Sequence, residues 1–199
     1  MKSRIPLAAL PLAVAALLAP APPAAAQSAI LNLGAVSPES GVYSRTFGAT
    51  GSGHLGVPVT GGQDVDGDGL PDYAIAFFTA SPEGRFAAGE VDLIFGDGTI
   101  RGTLDTGLPQ PSLLRVWGSH ERETAGNEIW IDDVTGDGLG DLLVCRQNFT
   151  PSPQQTGVGG LTVIAGGAHL AARAAALSPL DLADTTPRPG VFTIVGQEP

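Results

Sequence analysis

The feature of this chain most suited to chemistry is a run of aspartates at alternating positions. In Asp64-Val65-Asp66-Gly67-Asp68-Gly69-Leu70-Pro71-Asp72, three carboxylates fall on every second residue and a fourth comes four residues later. Alternate side chains of a tight turn share one side, so Asp64, Asp66 and Asp68 can all face inward. Gly69 permits the sharp bend, the carbonyl of Leu70 adds an oxygen, and Asp72 closes the set. Calcium takes about six to eight oxygens at loosely defined angles, which such a loop supplies. Magnesium demands stricter octahedral geometry and retains more water. No Cys or His stands in the loop, which disfavours zinc.

The pattern recurs. Asp133, Thr135, Asp137, the carbonyl of Leu139 and Asp141 occupy the same positions in a second loop. Two calcium sites are therefore expected, the second weaker because Thr135 offers a neutral hydroxyl where the first loop has a carboxylate. Asp132 lies beside it. An EF-hand would need a bidentate acid at the twelfth loop position, and Ile75 and Val144 stand there instead. The residues after each loop have strand periodicity rather than helical periodicity.

The elements holding these loops repeat with them. Tyr73-Ala74-Ile75-Ala76 matches Leu142-Leu143-Val144-Cys145, and the run from Gly89 to Gly96 matches that from Gly159 to Gly166. Leu114-Arg115-Val116-Trp117-Gly118 matches Phe192-Thr193-Ile194-Val195-Gly196 and resembles Ser44-Arg45-Thr46-Phe47-Gly48 upstream. Each unit thus contains four short strands. The first unit's are expected at residues 56–62, 72–79, 90–95 and 113–118, and the second's at 127–132, 141–147, 160–165 and 191–196. Residues 29–34 and 43–48 read as the last two strands of a preceding unit. The strand after the first loop is apolar on both faces, with Tyr73, Ile75 and Phe77 on one and Ala74, Ala76 and Phe78 on the other. It must be covered on both sides, as in sheets stacked around a propeller axis. A β-sandwich is the alternative, with strands that usually alternate more cleanly. The expected class is all-β, with propeller blades of four antiparallel strands.

The Asp loop, the apolar strand after it and the later strand ending in Phe95-Gly96 or Gly166-Gly167 resemble FG-GAP repeats, the blades of integrin α-subunit propellers, also found in many bacterial exported proteins. The resemblance covers nearly all of the chain beyond residue 26. It implies that Asp64, Asp66, Asp68 and Asp72 hold calcium in one blade, and Asp133, Thr135, Asp137 and Asp141 in the next. It also implies that the ions rigidify one rim rather than take part in catalysis. The segment from Gly166-Gly167 through Leu180-Asp181-Leu182 to Val195-Gly196 is expected to be a long linker between the third and fourth strands. The family's Gly-Ala-Pro after the second strand is replaced by Phe77-Phe78-Thr79 and Cys145-Arg146-Gln147. The expected organisation is a partial blade at 27–50, a full blade at 51–118 and another at 119–199. A closed propeller needs about four to eight blades. The chain is therefore expected either to continue into further blades or to oligomerise.

Residues 1–26 read as a secretory signal peptide. Lys2 and Arg4 precede an apolar run, prolines break it, and Ala24-Ala25-Ala26 offers a small-residue cleavage site. The run is shorter than the roughly 20 residues a bilayer requires. The expectation is an exported protein (periplasmic, surface-bound or secreted) without membrane insertion. A net charge of −10 argues against nucleic acid as a partner. The 28 glycines and 17 prolines suit a chain of many turns. Cys145, the only cysteine, is expected to be a buried, inert thiol.

Two function classes compete. A binding or adhesion module would present residues 80–88 and 148–158 to a protein or glycan ligand, since recognition usually lies on loops. A lectin-like oligomer is one version of it, although Trp117 and Trp130 fall in strands and are expected in the core. The rival is an enzyme, either in this segment or as part of a larger secreted one. No catalytic residue is assigned, because the clustered acids are accounted for by calcium. In addition, His54, His120 and His169 lie in different connections, and no Gly-x-Ser-x-Gly is present.

Overall fold

The structure is a computed structural model that describes residues 45–48, 54–99 and 102–197. Contacts divide the chain after Leu33, and every described residue belongs to the second unit. The expected signal peptide and the strand expected at 29–34 lie outside the described residues.

All eight strands of the two expected units are present. The first unit supplies β2 (Val59–Gln63), β3 (Asp72–Phe77), β4 (Glu90–Ile94) and β6 (Leu113–Trp117), an antiparallel meander. The second supplies β7 (Ala125–Asp132), β8 (Asp141–Arg146), β9 (Gly160–Ile164) and β11 (Val191–Val195), again antiparallel. The class is all-β with one short helix. Among the described residues no sheet closes on itself.

The two-faced apolar pattern explains how the sheets stack. Ala74, Ala76, Val91, Leu93, Leu114 and Val116 line one face of the first sheet. They share a buried core with Ile129, Ile131, Leu142, Val144 and Ile164 of the second. This stacking is head-to-tail. Ala74 and Ala76 align in the repeat with Leu143 and Cys145, yet they pack against the face that carries Leu142 and Val144. The far face of the first sheet keeps its own smaller cluster of Ile75, Ile94, Leu113 and Leu104. On the far face of the second sheet, Trp130, Phe192 and Ile194 are exposed.

The connections depart from expectation. The anticipated linker contains a helix, α1 (Ala168–Ala175), and a two-residue strand, β10 (Leu180–Asp181). Five alanines favour the helix. Leu170 and Ala174, four residues apart on one side, are its buried positions. Its N-cap is Gly167, which supplies no capping side chain, so the sequence there reads as a turn. β10 runs parallel to β6 and makes the first sheet five-stranded. Asp181 then receives two hydrogen bonds from the Arg85 guanidinium at 2.9 and 3.1 Å, tying the second unit's linker to the first unit. The upstream strand β1 (Arg45–Phe47) pairs in parallel with β5 (Thr103–Asp105), which lies in the connection between β4 and β6. Among the described residues, no helix is long and apolar enough to cross a membrane.

Candidate metal centre

Both Asp loops join antiparallel neighbours, β2 to β3 and β7 to β8, and both are built on the same hydrogen-bonded frame. Asp64 Oδ1 and Oδ2 accept the backbone N–H groups of Gly67 and Gly69, at 2.7 and 2.8 Å. Asp133 does the same for Gly136 and Gly138, at 2.7 and 2.9 Å. Asp68 accepts from Leu70, and Asp137 from Leu139. These are local side-chain-to-backbone turns, the structures Asp favours. Gly69 and Gly138 adopt φ of +87° and +89°, a region open to glycine and strained for most other residues.

The last aspartate of each loop is buried and holds two elements together. Asp72 is 1% exposed. It accepts from Val65 N–H inside the loop and from Gly96 N–H just after β4, both at 2.7 Å. Asp141 accepts from Val134, Thr135 and Gly166 N–H, each at 2.9 Å. Gly166 must be glycine, because a Cβ there would lie 2.6 Å from the Gly140 carbonyl oxygen. The loops also touch each other: Gly140 N–H donates to the Asp64 carbonyl at 2.7 Å, and Gly167 N–H to the Val65 carbonyl at 2.6 Å.

The loops differ in which carboxylates converge. Asp64, Asp66 and Asp72 each place one oxygen within 4.8 Å of the others. That is the spread expected of oxygens around a single ion with bonds of about 2.3–2.6 Å. Among the described residues this is the one group of three acids drawn together so closely. Asp68, expected as a fourth ligand, is not in the group. In the second loop Asp133, Asp137 and Asp141 do not converge in this way. The Thr135 hydroxyl is directed at Asp141 Oδ1, 3.4 Å away.

The carboxylates of the first group act on one another electrostatically. Burial pushes the Asp72 carboxyl above its ordinary value, with the Asp66 charge adding to the rise. Burial likewise raises Asp66, and the Asp68 and Asp64 charges push the same way. A divalent ion would relieve both effects. The oxygen-only donor set and the close convergence fit calcium. Asp64, Asp66 and Asp72 would hold it, and its role would be to fix the loop and screen these charges.

Other expected features resolve differently. His54 sits against Thr79 and Phe78, His120 against Phe149, and His169 on α1, so the structure brings no histidines together. Trp130 is 48% exposed. The expectation of a core Trp fails there because its side of β7 points away from the first sheet. Cys145 is half-buried, and burial together with the Glu128 charge pushes its thiol up, away from the reactive thiolate.

Two polar clusters have no counterpart among the sequence expectations. At the end of the sheets away from the Asp loops, Glu123 and Arg146 form a buried ion pair. Burial pushes the Glu123 carboxyl up. Arg146, Ser119 and the His120 N–H outweigh that effect and hold it below the usual range. The Arg146 guanidinium also covers the Phe149 ring at 3.7 Å. On the far face of the first sheet, Glu90 and Asp92 lie 3.9 and 4.0 Å from Arg115. Asp92 is 0% exposed and neither of its oxygens has an aligned hydrogen-bond partner. Burial and the Glu90 charge hold its carboxyl well above the ordinary value. The idea that calcium accounts for the clustered acids therefore does not extend to this pair, whose Asp92 is closed off from solvent. The sequence signal was an acid at an interior position of an otherwise apolar strand.

No protein-family model matches the chain, and a search of curated proteins finds no significant relative.

Proposed function

We propose that this chain is an exported calcium-binding β-repeat module with a binding or adhesion role, its ions structural rather than catalytic. The observation that carries the reading is the convergence of Asp64, Asp66 and Asp72. The carboxylates there repel one another in a partly buried loop whose backbone N–H groups are held by Asp64 and Asp68. The repeated frame, the two-faced strands and the head-to-tail sheet stacking support the resemblance to FG-GAP blades, and the propeller arrangement is part of the proposal. On this reading the ion stiffens the loop end of the stacked sheets. The connections at the other end, residues 80–88 and 148–158, are left to contact a protein or glycan partner. Phe86 is exposed in the first of them.

Calorimetric titration of the purified protein with calcium tests the metal site. The first site should bind in the range of about 10⁻⁴ to 10⁻³ M usual for extracellular modules, and Asp66→Ala should weaken it by about tenfold or more. A titration without heat, or one unchanged by Asp66→Ala, would remove the reading.

A further inference from the structure

A second site lies outside the metal loops, where α1 meets the segment leading into β11. It is a cavity of about 470 Å³ whose lining includes apolar Ala165, Leu170, Leu180 and Val191 and the polar His169, Arg173 and Arg188. The volume lies in the range of small-molecule sites. Ala165 and Val191 are partly exposed and give the cavity accessible apolar surface, over the buried Leu170 and Leu180.

The charge in its lining runs against the rest of the molecule. The whole chain carries −10, yet this cavity gathers two arginines and a histidine. Arg173 Nη1 donates to the Pro179 carbonyl at 2.9 Å and to Ser178 Oγ at 3.2 Å. Those acceptors are neutral, so they fix the guanidinium without cancelling its charge. Arg173 makes no ion pair with a described residue. Arg188 is similarly braced through the Asp181 carbonyl at 3.0 Å, and its charge is shared with Asp184 at the surface. A half-buried guanidinium held in place without a counter-charge, beside accessible apolar surface, is preorganised for an anionic group attached to an apolar body. The guanidinium fork suits a carboxylate in particular.

We infer that this cavity binds a small organic carboxylate, with the carboxylate on Arg173 and His169 and the ring or chain of the ligand on Ala165 and Val191. The site does not depend on the calcium reading, although its back wall is tied to both Asp loops. Gly166 N–H donates to Asp141, and Gly167 N–H to the Val65 carbonyl.

Benzoate is the probe and benzyl alcohol its uncharged control, titrated by calorimetry into the folded protein with calcium present. Benzoate should bind about tenfold or more tightly than benzyl alcohol, the worth of one charge-assisted pair. Arg173→Gln should bring benzoate down to the level of the alcohol. Because Arg173 also holds the turn at Ser178 and Pro179, His169→Ala serves as a second variant. His169 has no hydrogen bond to lose among the described residues, and its loss should weaken benzoate by about two- to fivefold with an unchanged melting temperature. Failure of benzoate to bind, equal binding of benzoate and benzyl alcohol, or benzoate affinity unchanged in both variants would overturn the assignment.

Discussion

The two Asp loops share a backbone frame and differ in the side chains that converge on it. In each, the first aspartate gathers the N–H groups of two glycines, and the last is buried and clamps the start of the next connection. Only the first loop draws three carboxylates into one small volume. An Asp-rich loop therefore combines two functions that can be separated. The first and last aspartates build the turn whether or not a metal is present. On the proposed calcium reading, the third position, Asp66 in one loop and Thr135 in the other, would set how strongly the turn attracts a cation.

The largest effect should come from breaking what the loops share. Asp141→Ala strands three N–H donors around a fully buried site and should cost about 3 kcal/mol, measured from urea unfolding. Asp72→Ala strands two and should cost about 2 kcal/mol. These losses should persist in chelator, because they do not require an ion.

Exchanging the position that differs should change metal binding and little else. Asp66→Ala should lower calcium affinity at the first site by about tenfold or more. Thr135→Asp should raise affinity at the second by about tenfold, since ligand charge count tunes such sites. Calorimetry of the two variants checks both. If Thr135→Asp leaves the second loop silent, the difference lies in the backbone rather than in that side chain.

A smaller difference should depend on pH. Burial and neighbouring charges raise Asp66 and Asp72 in the folded, metal-free loop above the ordinary 3.8. The folded state then holds protons that the unfolded chain has released. In chelator, this contribution to stability is present below about 3.8 and is lost as pH rises through the raised values. Calcium binds the ionised form and should cancel the loss. The gap between melting temperatures in calcium and in chelator should therefore open as pH climbs from about 3.8. Glu90 and Asp92 shift in the same direction but lie apart from the loops, so their contribution should be equal in both conditions.

Much of the fold and of the metal loops is legible in the sequence, for identifiable reasons. The eight strands of the two units come from short β-rich runs between glycines and prolines that recur in register, and the loops from aspartate spacing repeated with them. The features that are not legible depend on contacts between elements. Spacing alone does not show that Asp68 stays outside the converging group. Helix α1 is hidden because Gly166-Gly167 reads as a turn and no Ser, Thr, Asp or Asn caps it. Trp130 reads as a core residue because strand position alone does not say which face is covered. The Arg173 cavity is formed by residues just after β9, from α1 and β10, and from the segment before β11 up to Val191, and no local pattern joins them.

The central claim is tested most directly by the melting temperature of the purified protein in millimolar calcium against the same protein in chelator, at neutral pH. With a dissociation constant near 10⁻⁴ M, about tenfold excess calcium stabilises by about 1.4 kcal/mol, a rise of about 3–5 °C for a domain of this size. That rise, lost in Asp66→Ala, is the predicted result. Identical melting with and without calcium would contradict the claim that the converging aspartates are a metal site.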